Sequence, residues 1–211
     1  MMKKNVRRIL GLMAFFLAMT GLGEVSKVYA LPYQVNIDTS SLFGTPADIA
    51  FDLVSNDSVS NSVLITNFAT DGILGLSSTS GGVSGSLPGD VTLSDAAFFN
   101  ELLQGITLGN SLSFLLELTE SAPLGLTPDQ FSLFLLNPLT GFSLVATSDP
   151  TGADALFAID ITGAPFGELS TYHSMAQAAP IPEPSTLFLL GSGLLGLYRF
   201  HRRAGKVCSI G

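Results

Sequence analysis

Hydrophobic and polar side chains alternate with a period of two over much of the chain between residues 31 and 172. Such alternation is typical of β-strands that bury one face. The apolar positions of the seven runs are Tyr33, Val35 and Ile37; Ile49, Phe51 and Leu53; Val63 and Ile65; Leu112, Phe114, Leu116 and Leu118; Phe131, Leu133 and Leu135; Phe142, Leu144 and Ala146; and Phe157, Ile159 and Ile161. Gly, Pro, Asn, Asp and Ser punctuate the runs, as turns require. We predict a mainly β domain over residues 31–172, an antiparallel β-sandwich, with a jelly roll as the alternative.

Two connections between the runs have distinct compositions. Asn137–Gly141 is short and rich in turn-forming residues, so it predicts a hairpin turn. Gly75–Gly89 is rich in Ser and Gly, which favours a flexible chain over a packed element. We therefore expect a long loop over the second segment.

One segment departs from the strand pattern and predicts a short helix over Ser94–Gly105. Ser94 can cap the first turn, Asp95 suits the positive end of the helix dipole, and Gly105 can end the helix. Four large side chains would share one apolar face: Phe98, Phe99, Leu102 and Leu103. We expect this helix to cross one end of the sandwich.

The N-terminal 30 residues have the layout of a secretory signal peptide. Lys3, Lys4, Arg7 and Arg8 make a basic start, residues 9–22 are apolar, and Val28-Tyr29-Ala30 offers small residues near a cleavage point. We predict a signal helix over residues 1–30 that is removed on export. An uncleaved anchor helix is the alternative.

The C-terminal segment combines prolines, an apolar run and arginines. Pro180, Pro182 and Pro184 predict an extended linker over residues 173–184, because proline lacks a backbone donor and resists helix. Residues 187–198 carry no charge, and three arginines then follow: Arg199, Arg202 and Arg203. This order predicts a transmembrane helix over residues 185–203 with its basic end and residues 204–211 in the cytoplasm. A buried helix of a soluble domain is the alternative.

This C-terminal order resembles the PEP-CTERM sorting signal. Pro182, Glu183 and Pro184 match its signature triplet, Ser185 its small polar follower, and Arg199, Arg202 and Arg203 its terminal basic cluster. Residues 204–211 extend past the point where the family usually stops. The resemblance implies recognition by exosortase, a membrane-embedded transpeptidase-like enzyme of Gram-negative bacteria that make exopolysaccharide.

The body of the chain also resembles a group of exported PEP-CTERM proteins to which no activity is assigned. The resemblance rests on four short strings at residues 98–101, 108–114, 129–133 and 156–161. It implies export but no chemistry.

The charges are segregated along the chain. All nine Lys and Arg lie before residue 28 or after residue 198, whereas 16 of the 17 Asp and Glu lie between residues 31 and 198. An exported body without basic side chains excludes a nucleic-acid partner, because phosphate binding needs Lys and Arg. Cys208 is the only cysteine, so the body has no disulfide.

Catalytic motifs are missing from the sequence. His173 is the only histidine before the C-terminal segment, and its place beside the expected linker argues against a Ser-His-Asp triad. We expect no enzyme activity and no cofactor. The prediction is a cell-surface or extracellular-matrix protein, anchored in the inner membrane before processing and associated with exopolysaccharide. The alternative is a carbohydrate-binding or carbohydrate-active module, with Asp149 and Asp154 as oxygen ligands if it uses calcium.

Overall fold

The computed structural model describes residues 32–56, 60–119, 127–162 and 167–181, which form twelve β-strands and one short 3-10 helix. The strands are β1 (Tyr33–Asp38), β2 (Pro46–Val54), β3 (Ser62–Thr70), β4 (Ile73–Ser80), β5 (Gly82–Gly85), β6 (Val91–Ser94), β7 (Phe99–Thr107), β8 (Ser111–Leu118), β9 (Asp129–Leu136), β10 (Phe157–Ile161), β11 (Glu168–Thr171) and β12 (Ala176–Pro180). The 3-10 helix spans Ser40–Leu42. The prediction of a mainly β domain is confirmed.

The strands form two six-stranded sheets in which every pairing is antiparallel. The first sheet has the order β12-β1-β8-β3-β6-β5, and the second sheet has the order β11-β10-β9-β2-β7-β4. The pairings are nested in sequence, because β1 pairs with β8, β2 with β7 and β3 with β6. The chain therefore folds back on itself as a long hairpin that is rolled across two sheets.

The two sheets meet in one hydrophobic core. Phe51 of the second sheet and Phe114 of the first sheet pack edge to face, with ring centroids 5.5 Å apart and an interplanar angle of 73°. Both side chains are buried, as are Val35 and Ile37 of β1. These positions are the apolar members of the alternating runs, so the period-two pattern selects the core face of each strand.

The helix expected over Ser94–Gly105 is wrong, because β7 occupies most of that segment. Asn100, Leu102, Gln104 and Ile106 alternate toward the core, and β7 lies between β2 and β4. Its nine residues all pair with β2. Tertiary pairing on both sides therefore overrides the local helical pattern.

The loop expected over Gly75–Gly89 is also wrong in its first part. Residues up to Ser80 belong to β4, and Gly82–Gly85 forms β5. The ladder uses backbone groups, so Ser and Gly side chains do not prevent pairing with β7 and β6.

The Asn137–Gly141 turn is confirmed, but the segment after it is not a strand. Asn137 N donates to Phe142 O over 2.8 Å, and Gly141 has φ 71°. Only an isolated bridge between Leu136 and Ser143 continues the pairing, and Phe142 is 77% exposed. The strand expected over residues 142–146 is therefore wrong.

The domain extends further along the chain than the predicted boundary at residue 172. Residues 176–180, which were expected to belong to a linker, form β12 of the first sheet. The predicted signal helix (residues 1–30), transmembrane helix (185–203) and tail (204–211) lie outside the described residues. Within the described residues, no helix has the length and apolar character needed to cross a membrane.

Candidate functional site

The last described strand leads directly into the segment that carries the predicted sorting signal. β12 pairs with β1 in a register that sets Pro180 opposite Tyr33. Ile181 N then donates to Pro32 O over 2.8 Å. The first and last residues of the described domain are thus hydrogen-bonded to each other, and the predicted sorting residues begin at the next position, Pro182.

Small side chains allow β12 to close the edge of the first sheet. Ala176 is buried opposite Ile37, and Ala178 packs against the core opposite Val35. Gln177 between them is exposed, so β12 follows the same alternation as the larger strands. Pro180 lacks a backbone donor, which an edge strand tolerates at its end.

A small pocket lies on the outer face of the second sheet, with a volume of about 110 Å³. Its floor includes Asp52 of β2 and Ser132 of β9, which lie opposite each other in the ladder. The segment between β9 and β10 supplies Asp149 and Thr151, and Tyr172 completes the wall. This segment covers a strip of the sheet that would otherwise face solvent.

Asp52 is the most perturbed acid of the pocket. Its Oδ1 atom is buried without a hydrogen-bond partner among the described residues. Burial, and then the charge of Glu101, raises the pKa of Asp52 to about 7. Burial, and then the charge of Asp48, raises the pKa of Glu101.

Asp149 and Asp154, the oxygen ligands considered for the calcium-dependent alternative, hold their own loop in shape. Asp149 Oδ1 accepts hydrogen bonds from Thr151 N over 2.9 Å and Thr151 Oγ1 over 2.8 Å, while Asp149 Oδ2 accepts one from Ala155 N over 3.1 Å. Burial acts against these bonds, but their sum lowers the pKa of Asp149. Asp154 Oδ1 accepts a bond from Thr147 N over 2.8 Å. No group of three or more metal-ligating side chains occurs in the part of the chain that the structure describes.

His173 takes part in a local turn. Its N–H donates to Leu156 O over 3.3 Å, and its Nδ1 accepts a hydrogen bond from Met175 N over 3.2 Å. The imidazole of His173 thereby stabilises the turn that connects β11 to β12, which is a structural role.

A buried polar cluster that was not predicted lies where β9 begins. Asp129 is completely buried, and its two oxygens accept hydrogen bonds from Asn56 N over 2.7 Å and Asn61 Nδ2 over 2.8 Å. Thr119 Oγ1 donates to Asn61 Oδ1 over 3.2 Å. Asp129 has the same parity as Phe131, Leu133 and Leu135, so the alternation itself points it into the core. The cluster ties together the ends of four strands, β2, β3, β8 and β9.

The predicted sorting residues, Pro182, Glu183, Pro184, Ser185, Arg199, Arg202 and Arg203, lie outside the described residues. In a comparison with protein families, residues 180–203 match the PEP-CTERM protein-sorting motif. Searches of curated proteins and of solved structures found no match. The chain therefore carries a PEP-CTERM sorting motif, which supports its identification as an exosortase substrate. The resemblance of the body to a group of PEP-CTERM proteins stays a prediction.

Proposed function

We propose that this protein is exported, anchored in the inner membrane, and processed by exosortase. It is then set at the cell surface or in the extracellular matrix as a non-enzymatic component associated with exopolysaccharide. The observation that carries the proposal is the PEP-CTERM motif at residues 180–203. The motif starts at the last residue of β12, so the sorting signal is continuous with the folded domain.

The position of the domain ends supports an anchored state with a defined orientation. The hydrogen bond between Ile181 and Pro32 sets both ends of the domain at one place. The turn at Asn137–Gly141 lies at the opposite end, because Leu136 pairs with Asp48 near the start of β2 and β2 follows β1 by a short connection. A domain held by residues 182–203 therefore presents that turn away from the membrane.

The finer fold that we propose is a β-sandwich of the jelly-roll type. Two packed antiparallel sheets support the sandwich, and the nested pairing of β1 with β8, β2 with β7 and β3 with β6 supports the jelly roll. Additional strands β9 to β12 extend both sheets on one side.

The dimensions of the pocket on the second sheet favour a structural component over a sugar-processing enzyme. The pocket at Asp52 has a volume of about 110 Å³, whereas small-molecule sites usually measure roughly 300 Å³ or more. Two of the acids that line or flank this pocket are Asp149 and Asp154, and both accept hydrogen bonds from backbone groups of their own loop. These features support the non-enzymatic role that we propose.

Glu183→Ala tests the sorting role, with Glu168→Ala on β11 as the matched control. We expect the Glu183→Ala protein to stay membrane-bound and unprocessed, and the Glu168→Ala protein to mature like the wild type. Replacing Arg199, Arg202 and Arg203 with Gln should instead reduce membrane retention or alter orientation, because the arginines resist translocation. Maturation of Glu183→Ala at the wild-type rate would contradict the proposal. So would an exported wild-type protein that still contains residues 199–211.

Association with exopolysaccharide is tested by fractionation. We expect the processed domain to sediment with the polysaccharide of producing cells and to appear in the medium of cells that lack the polymer. Equal distribution in the two strains would show that the domain resides elsewhere, while leaving the sorting step intact.

A further inference from the structure

Among the described residues, strand β4 is the one long edge strand of the two sheets that carries neither charge nor proline. Sheet edges are commonly blunted by short length, charge or proline, because their free N–H and C=O groups pair with other strands. β5 and β11 have four residues each, β11 includes Glu168, and β12 ends in Pro180. β4 has eight residues, without charge or proline, and no strand lies beyond it among the described residues.

β4 is also exposed on both faces. Residues 75–80 are all exposed, and Leu76 is 93% exposed. A register shift between Leu74 and Ser77 interrupts the ladder with β7. The part that follows, Ser77–Ser80, pairs regularly with residues 101–104 of β7. It offers alternate backbone donors and acceptors to the free side, as the outer edge of an antiparallel strand does.

The charge distribution bears on which partner can pair with the free edge of β4. The span from residue 31 to residue 198 contains 16 acidic and no basic side chains, so two copies repel each other over most of their surface. Residues 72–89 contain no ionisable side chain. β4 therefore lies in an 18-residue stretch without charge, so the edge strand itself presents no side chain that repels a second anionic copy.

We propose that β4 is a homotypic docking strand, through which two copies of this chain join their second sheets edge to edge. Antiparallel pairing of identical strands about a two-fold axis satisfies the same backbone groups on both copies and closes the assembly at a dimer. The contact needs no complementary charges, which this domain does not have. Added salt should strengthen it, because salt screens the repulsion between the acidic surfaces.

Sedimentation of the full chain in detergent, with Cys208→Ser as the background, tests the proposal. Ser78→Asp introduces a charge into the regular part of β4, and Ser170→Asp makes the same change on β11, the opposite edge of the same sheet. We expect a concentration-dependent dimer whose dissociation constant rises at least about tenfold in Ser78→Asp and less than about twofold in Ser170→Asp. Circular dichroism melting confirms that both variants are folded.

Cysteine cross-linking gives a second readout that does not depend on weakening the contact. Single cysteines at positions 77, 78, 79 and 80 are oxidised in the same background, with Ser170→Cys as the control. Directly opposed residues of an antiparallel pair come within disulfide range, so one position nearest the two-fold axis should cross-link most. The proposal is overturned if no position exceeds the control, or if both Asp variants weaken association equally. A wild-type chain that stays monomeric at every concentration also overturns the proposal. In that case the β4 edge is covered by another segment of the chain, binds a different partner or stays unpaired.

Discussion

Asp52 of β2 and Glu101 of β7 lie directly opposite each other on the outer face of the second sheet. Two like charges in such a cross-strand pair destabilise the sheet. Burial adds to this cost, and the pKa of Asp52 is raised to about 7. One proton on Asp52 removes both penalties, so the pair makes the stability of the domain dependent on pH.

The free energy of unfolding should fall as the pH rises from about 4 to about 7 and then level off. The folded-state pKa of Asp52 lies near 7 and the ordinary pKa of an Asp side chain is 3.8, so the folded state binds the extra proton in this range. The difference corresponds to roughly 2–4 kcal/mol once partial exposure is allowed for. Denaturant unfolding at a series of pH values measures it.

Asp52→Asn should remove most of this pH dependence and raise stability above pH 7, because the amide is neutral at every pH. Asp90→Asn, which changes an exposed acid outside the pair, serves as the control. If Asp52→Asn and the wild type show the same slope between pH 4 and pH 7, the assignment to Asp52 is incorrect.

Truncating either ring of the Phe51–Phe114 contact should destabilise the domain strongly. Phe51→Ala or Phe114→Ala leaves a cavity between the two sheets, and such changes cost about 3–5 kcal/mol. A double-mutant cycle should give a coupling of about 0.5–1.5 kcal/mol for the edge-to-face pair. Phe142→Ala, at a side chain that is 77% exposed, should change stability by less than about 0.5 kcal/mol. A coupling near zero would show that the two sheets do not depend on this contact.

Asn100 should be sensitive to substitution because its amide serves four backbone groups. Its Oδ1 accepts hydrogen bonds from Gly82 N over 2.7 Å and Ala97 N over 3.1 Å, and its Nδ2 donates to Ala97 O over 2.7 Å and Leu53 O over 3.2 Å. Asn100→Ala removes these four hydrogen bonds and should cost roughly 2–4 kcal/mol. Asn36→Ala, at an exposed position of β1, is the control. Thermal melting with equal losses for both variants would refute the role of the buried amide.

A chain that runs from residue 31 to Ile181 should be more stable than one that ends at Met175. The shorter chain loses β12, including buried Ala176 and the ladder to β1. At about 1 kcal/mol for each backbone hydrogen bond, the expected loss is roughly 2–4 kcal/mol. Chemical denaturation of the two chains measures the difference. Equal stability of the two chains would mean that β12 contributes nothing to the free energy of unfolding of the domain.

The strands that alternate strongly could be predicted from the sequence, and the others could not. Val35 and Phe114 sit in runs where one parity is apolar, so side-chain pattern alone identifies the buried face. In β7, Leu102 and Leu103 fit both a helical and a strand period, and only the pairing with β2 decides between them. In β4 and β12, small side chains carry little pattern, and the neighbouring strand supplies the backbone partners.

The sorting motif could be predicted because its order of residues is itself the signal. The pocket could not be predicted from the sequence. Asp52 has the outward parity of β2, which predicts a solvated carboxyl, and it is buried only because a segment nearly 100 residues later folds over it. Asp129 shows the opposite case, since its inward parity in β9 could have revealed it.

The pairing of β1 with β12 has a consequence for the order of events during export. A chain that crosses the membrane N-terminus first releases β1 early and β12 last. Pro180 lies opposite Tyr33, so the first sheet cannot be completed until almost the whole body has emerged. Contacts this distant in sequence also form slowly. The final strand can therefore pair only when the sorting signal reaches the outer face of the membrane. The first sheet is completed, and the signal is exposed for processing, at the same stage of export.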